Sequence, residues 1–292
     1  MLKPLVFFGT EDFSLPALQA LIEKGWPVSA VVTKPDTKRG RGQLLASPAV
    51  KNLAESNGIE ILQPEKMADT AGRLAQIGAD WAVLVSYGKI IPADIIDIFK
   101  GGIINIHPSL LPKYRGPSPI EAAILNGDSR TGVSLMKLTP KMDAGGVYVQ
   151  QTVELSGSET KPELYDRLSQ MGAALLIDNL EEIIGGRLEA IEQNEAEASY
   201  TKLLAKSDGD IDWTDKAVDI ERKIRAFQGY PKTRALVFDQ PVIILKARVA
   251  NSLSGGELVM QCGDGFIEIQ ELIAPSGRTM SGGDFKRGYF KQ

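Results

Sequence analysis

Apolar residues in the first hundred positions come in short unbroken runs, separated by stretches with helical spacing. Leu5-Val6-Phe7-Phe8 ends at Gly9, Leu15, Leu18, Leu21 and Ile22 then recur at helical intervals, and a second apolar run covers 28–33. This pattern predicts a β-α-β unit with parallel pairing. The alternation continues with a helix through Val50 and Leu53, a strand over 59–62 and a helix near 70–77. A strand over 81–85, a short helix begun by Pro92 and a strand over 103–107 follow. Strand runs with little polar alternation belong to strands covered on both faces, so the expected class is α/β with a doubly wound, mostly parallel sheet.

A further strand is expected over 132–138, before a long helix. Thr160 and Glu163 form a candidate capping box, and Leu164, Leu168, Met171 and Leu175 line one face until Gly185-Gly186 stops the helix. Between Leu188 and Ser207 the pattern weakens into Glu/Ala/Ser-rich sequence, read as a strand plus an interdomain linker. A helix over 219–227 then opens a region of β-prone runs (236–238, 242–249, 258–261, 266–273) punctuated by Gly and Pro, which predicts a small β-barrel. The expected division is 1–188 as a catalytic domain, 189–207 as linker and 208–292 as a C-terminal β-barrel domain.

The length of 292 residues suits two domains, and 43% hydrophobic with 24% charged residues is ordinary globular composition. No apolar stretch is long enough to span a bilayer, and Met1-Leu2-Lys3-Pro4 runs straight into a strand, leaving no room for a signal sequence. The single Cys262 cannot form an internal disulfide, so a cytoplasmic location is expected. A net charge of −4 argues against coating nucleic acid through bulk electrostatics. From residue 206 onward, however, 13 basic residues face 12 acidic ones, so the C-terminal region is the less acidic part.

The chemistry is expected where an apolar strand stops at polar side chains. Asn105 and His107, the one histidine, are two apart and leave an extended strand on the same face. Pro108 follows and should end the strand at the histidine. The loop from Ser109-Leu110-Leu111-Pro112 to Lys113-Tyr114-Arg115-Gly116-Pro117-Ser118-Pro119 is stiff with proline and suited to presenting backbone groups to a planar ligand. Asp143, in the Lys141-Met142-Asp143-Ala144-Gly145-Gly146 turn, is expected to reach the same sheet edge on the preceding strand and to favour the imidazolium. A core histidine and a solvated turn aspartate are the competing readings. With no Ser or Cys nucleophile converging, the trio suggests direct transfer between two substrates. One histidine and a distant cysteine cannot build a zinc site, so no metal is expected. Gly9-Thr10-Glu11-Asp12 lacks the later glycines of a dinucleotide fingerprint, and Gly9 is read as a turn former.

The run from Asn105 to Gly116, Asn-x-His-x-Ser-Leu-Leu-Pro-x-Tyr-Arg-Gly, with the later Met142-Asp143-Ala144-Gly145, closely resembles the folate-dependent formyltransferases. The likeness extends over nearly the whole chain: Phe7-Phe8-Gly9-Thr10, the basic loop 34–42, the segment 84–92, Ile211-Asp212-Trp213 and Lys223-Ile224-Arg225-Ala226-Phe227. It resembles most the members that formylate the methionine of initiator tRNA. The resemblance implies a Rossmann-like formyltransferase domain followed by an OB-like β-barrel. It also implies transfer of a formyl group from 10-formyltetrahydrofolate, as co-substrate, to the α-amino group of that methionine. Asn105 and His107 would then stabilise an oxyanion while Asp143 orients and charges His107. Folate would be held by Leu84, Ser86, Tyr87, Gly88 and Ile90, through backbone groups, and by Ser109, Leu110, Leu111 and Pro112.

The loop 34–42, with no apolar anchor, is expected to order on RNA through Lys38, Arg39 and Arg41, although Gln43 stands where relatives often carry lysine. On the helix over 219–227, Arg222 and Arg225 are expected to project away from the Ile220, Ile224 and Phe227 stripe towards phosphates. No membrane and no obligate protein partner are implied. The alternatives are a small amine acceptor such as glycinamide ribonucleotide or an amino sugar, for which a second domain is superfluous, and water as acceptor. A non-catalytic RNA-binding protein is the remaining alternative, and it leaves the Asn105, His107 and Asp143 convergence unexplained.

Overall fold

The structure is a computed structural model that describes residues 3–39, 44–254 and 256–290. The chain begins β1 (Leu5–Gly9), α1 (Leu15–Glu23), β2 (Val28–Val32), β3 (Thr37–Arg39), β4 (Leu44–Ala46), α2 (Ala49–Ser56) and β5 (Glu60–Leu62). Next come α3 (Ala71–Ile77), β6 (Trp81–Val85), α4 (Ala93–Ile96), β7 (Gly102–His107), α5 (Pro119–Asn126), β8 (Arg130–Lys137), β9 (Val147–Glu154) and α6 (Lys161–Ile184). The remainder holds α7 (Ala217–Ala226), β10 (Thr233–Val237), β11 (Gln240–Ala250), β12 (Val259–Gln261), β13 (Phe266–Ile273), β14 (Thr279–Ser281) and α8 (Gly282–Tyr289). Two compact units form, neither contiguous in sequence. One comprises Met1–Gly116, Gly132–Val153 and Tyr165–Tyr200, the other Pro117–Thr131, Glu154–Leu164 and Thr201–Gln292.

The first unit is built on a seven-stranded sheet of order β5-β2-β1-β6-β7-β8-β9. From β5 to β7 all neighbours are parallel, and β8 runs antiparallel to β7. Every residue of β1 and of β7 is buried, as expected of central strands covered on both faces. The chain winds outward from β1 through β2 to β5, then restarts beside β1 with β6. The switch point therefore lies between the carboxyl ends of β1 and β6, where such sheets place their ligands. One core cluster covers this part, with Val6, Phe8, Ala82 and Ile103 packed against Leu74, Ile95 and Phe99. Phe8 meets the rings of Tyr87 and Phe99 edge-on.

Four strands (β3, β4, β9 and β14) and two helices (α5 and α8) went unread in the sequence. β9 is one: its side chains are mostly exposed or half-buried, and Gln150-Gln151-Thr152 hides the period. β14 is a three-residue strand, and α8 starts with two glycines that read as a break. The first of them is required, because a Cβ on Gly282 would lie 2.0 Å from the Ile269 carbonyl oxygen. Ser281 caps the helix by accepting from the Asp284 N–H, and Phe285 is buried. The segment expected to be a linker is also structured: it bridges Val147 through Ile191 and Arg115 through Tyr200.

The second unit carries an antiparallel sheet of order β10-β11-β13-β12, with β14 on β13. Register shifts around Lys246 interrupt the β11–β13 ladder, as a bulge that curls a sheet does. The result is a half-barrel whose core joins Ile220 and Ile224 of α7, Phe285 of α8 and Val242, Ile244, Ile267, Ile269 and Leu272 of the strands. Among the described residues no helix is long and apolar enough to cross a membrane.

Gly172 lets α6 lie close against β7. A Cβ there would sit 2.7 Å from Ile106 Cγ2, on a side chain stiff at χ1. Gly172→Ala gains up to ~1 kcal/mol in helix propensity but forces overpacking that costs about 1–3 kcal/mol, so a net loss of about 1 kcal/mol is expected. The urea midpoint of this variant should fall; a rise would show that α6 can move off the strand freely.

Candidate active site

β7 ends at His107, as the following proline predicts, and alternation sets Asn105 and His107 on one face while Ile106 faces α6. Asn105 pairs with Leu84 of β6 and Met136 of β8, and His107 with Ser134. His107 is 5% exposed, and its Nε2 lies 3.0 Å from the Tyr114 carbonyl oxygen. A carbonyl can only accept, so Nε2 carries the proton and proton exchange is left to Nδ1. Nδ1 faces Asp143 Oδ2 at 3.8 Å, beyond direct hydrogen-bond reach and within range of an ion pair when the ring is charged. Among the described residues no protein group bonds the Asn105 carboxamide, and its polar atoms keep solvent contact.

The proline-dense loop is stapled by its own polar groups. Ser109 Oγ donates to the Lys113 carbonyl at 2.6 Å. Ser134 Oγ donates to the Ser109 carbonyl at 2.6 Å and accepts from the Leu111 N–H and from Gln150 Nε2. Gln150 also donates to the Leu111 carbonyl. The Ser109 side chain and both Leu111 backbone groups are thereby engaged in holding the loop, while Leu110 and Pro112 remain half-buried.

Asp143 reaches His107 by a route the sequence reading had wrong. β8 is antiparallel, pairing Ser134 with His107 and Lys137 with Ile104, so it leads away from the histidine end. The turn over 139–146 must fold back, and a set of side chains holds it there. Asp143 Oδ2 accepts from the Gly116 N–H at 2.7 Å. Gln193 Nε2 donates to the carbonyls of Asp143 and Gly145 at 2.8 and 2.7 Å. Gln193 Oε1 in turn accepts from Nε and Nη2 of Arg115, at 3.0 and 2.9 Å. Arg115 is fully buried; it also donates to Glu195 Oε1 at 2.8 Å and to the Tyr200 hydroxyl at 2.9 Å, and Lys141 reaches Glu195 Oε2 at 2.9 Å. Gln193, Glu195 and Tyr200 were missed because they stand in the stretch read as linker, where no periodicity marks them.

At the switch point the Glu11 N–H donates to the Ser86 carbonyl, bridging the loops after β1 and β6. Ser86 and Gly88 both have positive φ, 45° and 71°, so the backbone here turns sharply and presents its own groups. Tyr87 turns inward: its hydroxyl donates to Met67 Sδ, and burial pushes the phenol up to about 12. Its side chain is unavailable to a ligand, which limits Tyr87 to backbone contacts, whereas Leu84 is half-buried against the core. Ile90 is 84% exposed on this loop.

Two expectations for basic residues need correcting. Arg225 does not project into solvent; its guanidinium is paired with Glu221 and donates to the Glu159 carbonyl, with 12% of the side chain exposed. Arg222 lies over Gly127 at the end of α5, 3.7 Å from Asp219. The reason is that α5 packs on α7, covering the face expected to be free. In the basic loop, Thr37–Arg39 and Leu44–Ala46 pair as strands, so ladder bonds supply the order that an apolar anchor would otherwise give. Arg41 lies outside the described residues, and only the backbone of Lys38 and Arg39 is described.

The chain matches the family model for formyl transferase over residues 2–180 and that for the formyl transferase C-terminal domain over 203–289. It is 37% identical to the methionyl-tRNA formyltransferase of Lachnospira eligens over 97% of this chain and 96% of that one. An N-formyltransferase from Helicobacter canadensis, solved with folinic acid and dTDP-3-aminofucose, matches 91% of this chain and 98% of its own at TM-score 0.68 and 23% identity. HypX from Aquifex aeolicus, solved with tetrahydrofolic acid, matches 99% of this chain at TM-score 0.67 and 16% identity, and the chain spans 47% of HypX.

The hydrogen bonds from Arg115, then those from Lys141, hold the Glu195 carboxyl at about 2, below its usual 4.5. A lowered folded-state value stabilises the fold above pH 4.5, and that contribution drains away as pH falls towards 2. The gap in urea midpoint between the unaltered protein and Glu195→Gln should be constant above pH 4.5 and close between 4.5 and 2. A gap that persisted at the acid end would disprove the pairing.

Proposed function

The chain belongs to the formyl transferase family, and on that premise we propose that it transfers a formyl group from 10-formyltetrahydrofolate to the α-amino group of methionine on initiator tRNA. The observation that carries the reading is the meeting of Asn105, His107 and Asp143 at the carboxyl end of β7, beside the loop that follows β6. Among the described residues no nucleophilic side chain joins them, which suits direct attack of an amine on the formyl carbon. As the new C–N bond forms, charge moves to the formyl oxygen; the Asn105 carboxamide N–H and the His107 Nδ1–H are the donors that meet it. Nε2 cannot serve, because the Tyr114 carbonyl already holds its proton.

Collapse of the adduct returns the electron pair to the carbonyl and breaks the bond to folate N10, which takes up the proton released by the amine. Asp143 is suited to relay that proton. Its Oδ2 accepts from Gly116, and among the described residues Oδ1 has no protein partner. Backbone groups of Ser86 and Gly88 at the switch point, with Ile90, Leu110 and Pro112 as apolar surface, fit a planar, hydrogen-bonding heterocycle such as the pterin. Lys38, Arg39 and Arg41 are assigned to the phosphates of the acceptor RNA, whereas the pairing of Arg225 inside the second unit removes it from that role. Working on aminoacylated tRNA requires the protein in the cytoplasm.

Formyl transfer from 10-formyltetrahydrofolate to methionyl initiator tRNA should be measurable with the unaltered protein. Asn105→Ala and His107→Ala should each lower kcat by about 100- to 1,000-fold, and the double variant should lose less than the product of the two. Formate release without any amine would instead indicate water as acceptor. Binding of the tRNA should weaken with salt, and replacing Lys38, Arg39 and Arg41 by alanine should reduce the slope of log affinity against log salt by about 2. An unchanged slope would remove the phosphate assignment.

A further inference from the structure

We propose that Gln193 is a positioning residue, the side chain that sets the Asp143 carboxylate against His107. Its amide has no freedom of orientation. Arg115 offers only donors, so Oε1 must face Nε and Nη2, and the NH₂ group must then face the carbonyls of Asp143 and Gly145. Two donors and one shared acceptor at the end of a three-carbon stem describe glutamine and exclude glutamate, which can accept from Arg115 but has nothing to donate to the turn. The turn needs this support because β8 delivers it to the wrong end of β7, and because Asp143 holds φ 44°, in the left-handed region that residues with side chains rarely occupy. Gln193 grips the Asp143 carbonyl while the Gly116 N–H grips the carboxylate, so the residue is fixed at both its backbone and its side chain.

The kinetic part rests on the reaction proposed above; the structural part does not. Gln193→Glu separates the two contacts, since it keeps an acceptor for the buried Arg115 and deletes the donors to the turn. Its kcat for formyl transfer should fall about 10- to 100-fold, the scale of a displaced reacting group, with KM for folate and for tRNA within about threefold and the urea midpoint lowered only as far as the loss of two hydrogen bonds accounts for. Combined with Asp143→Asn it should add little to the loss from Asp143→Asn alone, because both act through one carboxylate. Hydrogen exchange over residues 138–147 should quicken in Gln193→Glu and stay constant elsewhere. Full turnover by Gln193→Glu, losses that multiply in the double variant, or unaltered exchange over 138–147 would each overturn the assignment. If the unaltered protein transfers no formyl group, the reaction is refuted, and the exchange measurement still decides the positioning.

Discussion

A guanidinium withdrawn completely from water holds this site together. Leaving Arg115 unpaired at zero exposure would cost several kcal/mol, so its hydrogen-bonding partners must be built in with it. Gln193, Glu195 and Tyr200, from one short stretch, are among them, and the arginine stays charged with its pKa raised further by the Glu195 carboxylate. Satisfying one buried charge thus binds the loop after β7 to a segment some eighty positions later. Gln193 extends the same bonds to the turn that carries Asp143. A charge that is expensive to bury becomes a device for specifying position.

Two kinds of support consequently meet at the carboxyl end of β7. Asn105 and His107 stand on a strand buried on both faces, held by ladder bonds to β6 and β8 and by the packing of α6 beneath Ile106. Such a strand offers little freedom, which suits groups aimed at a developing charge. Asp143 stands on a turn that its own strand does not direct there, and side-chain hydrogen bonds hold it. The asymmetry suits the roles proposed for them: oxyanion donors must not move, whereas a proton relay tolerates a position set by replaceable hydrogen bonds.

The second unit shows the same economy with charge. Arg225 of α7 is turned into a structural tie to Glu221 and the Glu159 carbonyl, and Arg222 lies against Gly127 at the end of α5. A helix face that carries cations is therefore not by itself a nucleic-acid surface. The amphipathic pattern correctly gave the buried stripe of Ile220 and Ile224, but it could not say what would cover the opposite face.

Much was legible along the chain because the physics is local. Continuous apolar runs identified the central strands β1, β6 and β7, helical spacing identified α1, α6 and α7, and Pro108 ended β7 at His107. The spacing of Asn105 and His107 alone put them on one face, since side chains alternate along any strand. What failed was non-local or lacked a period. β9 and α8 carry polar residues or glycines where their neighbours demand them. The direction of β8, the inward turn of Tyr87, the covering of Arg225 and the recruitment of Gln193, Glu195 and Tyr200 depend on which residues approach across long separations in sequence. Sequence determined by itself the α/β class and the placing of Asn105 and His107 on one strand face, because periodicity and residue chemistry are written in order. Tertiary structure alone decided how Asp143 comes to His107, because a buried charge chooses its partners by proximity in space.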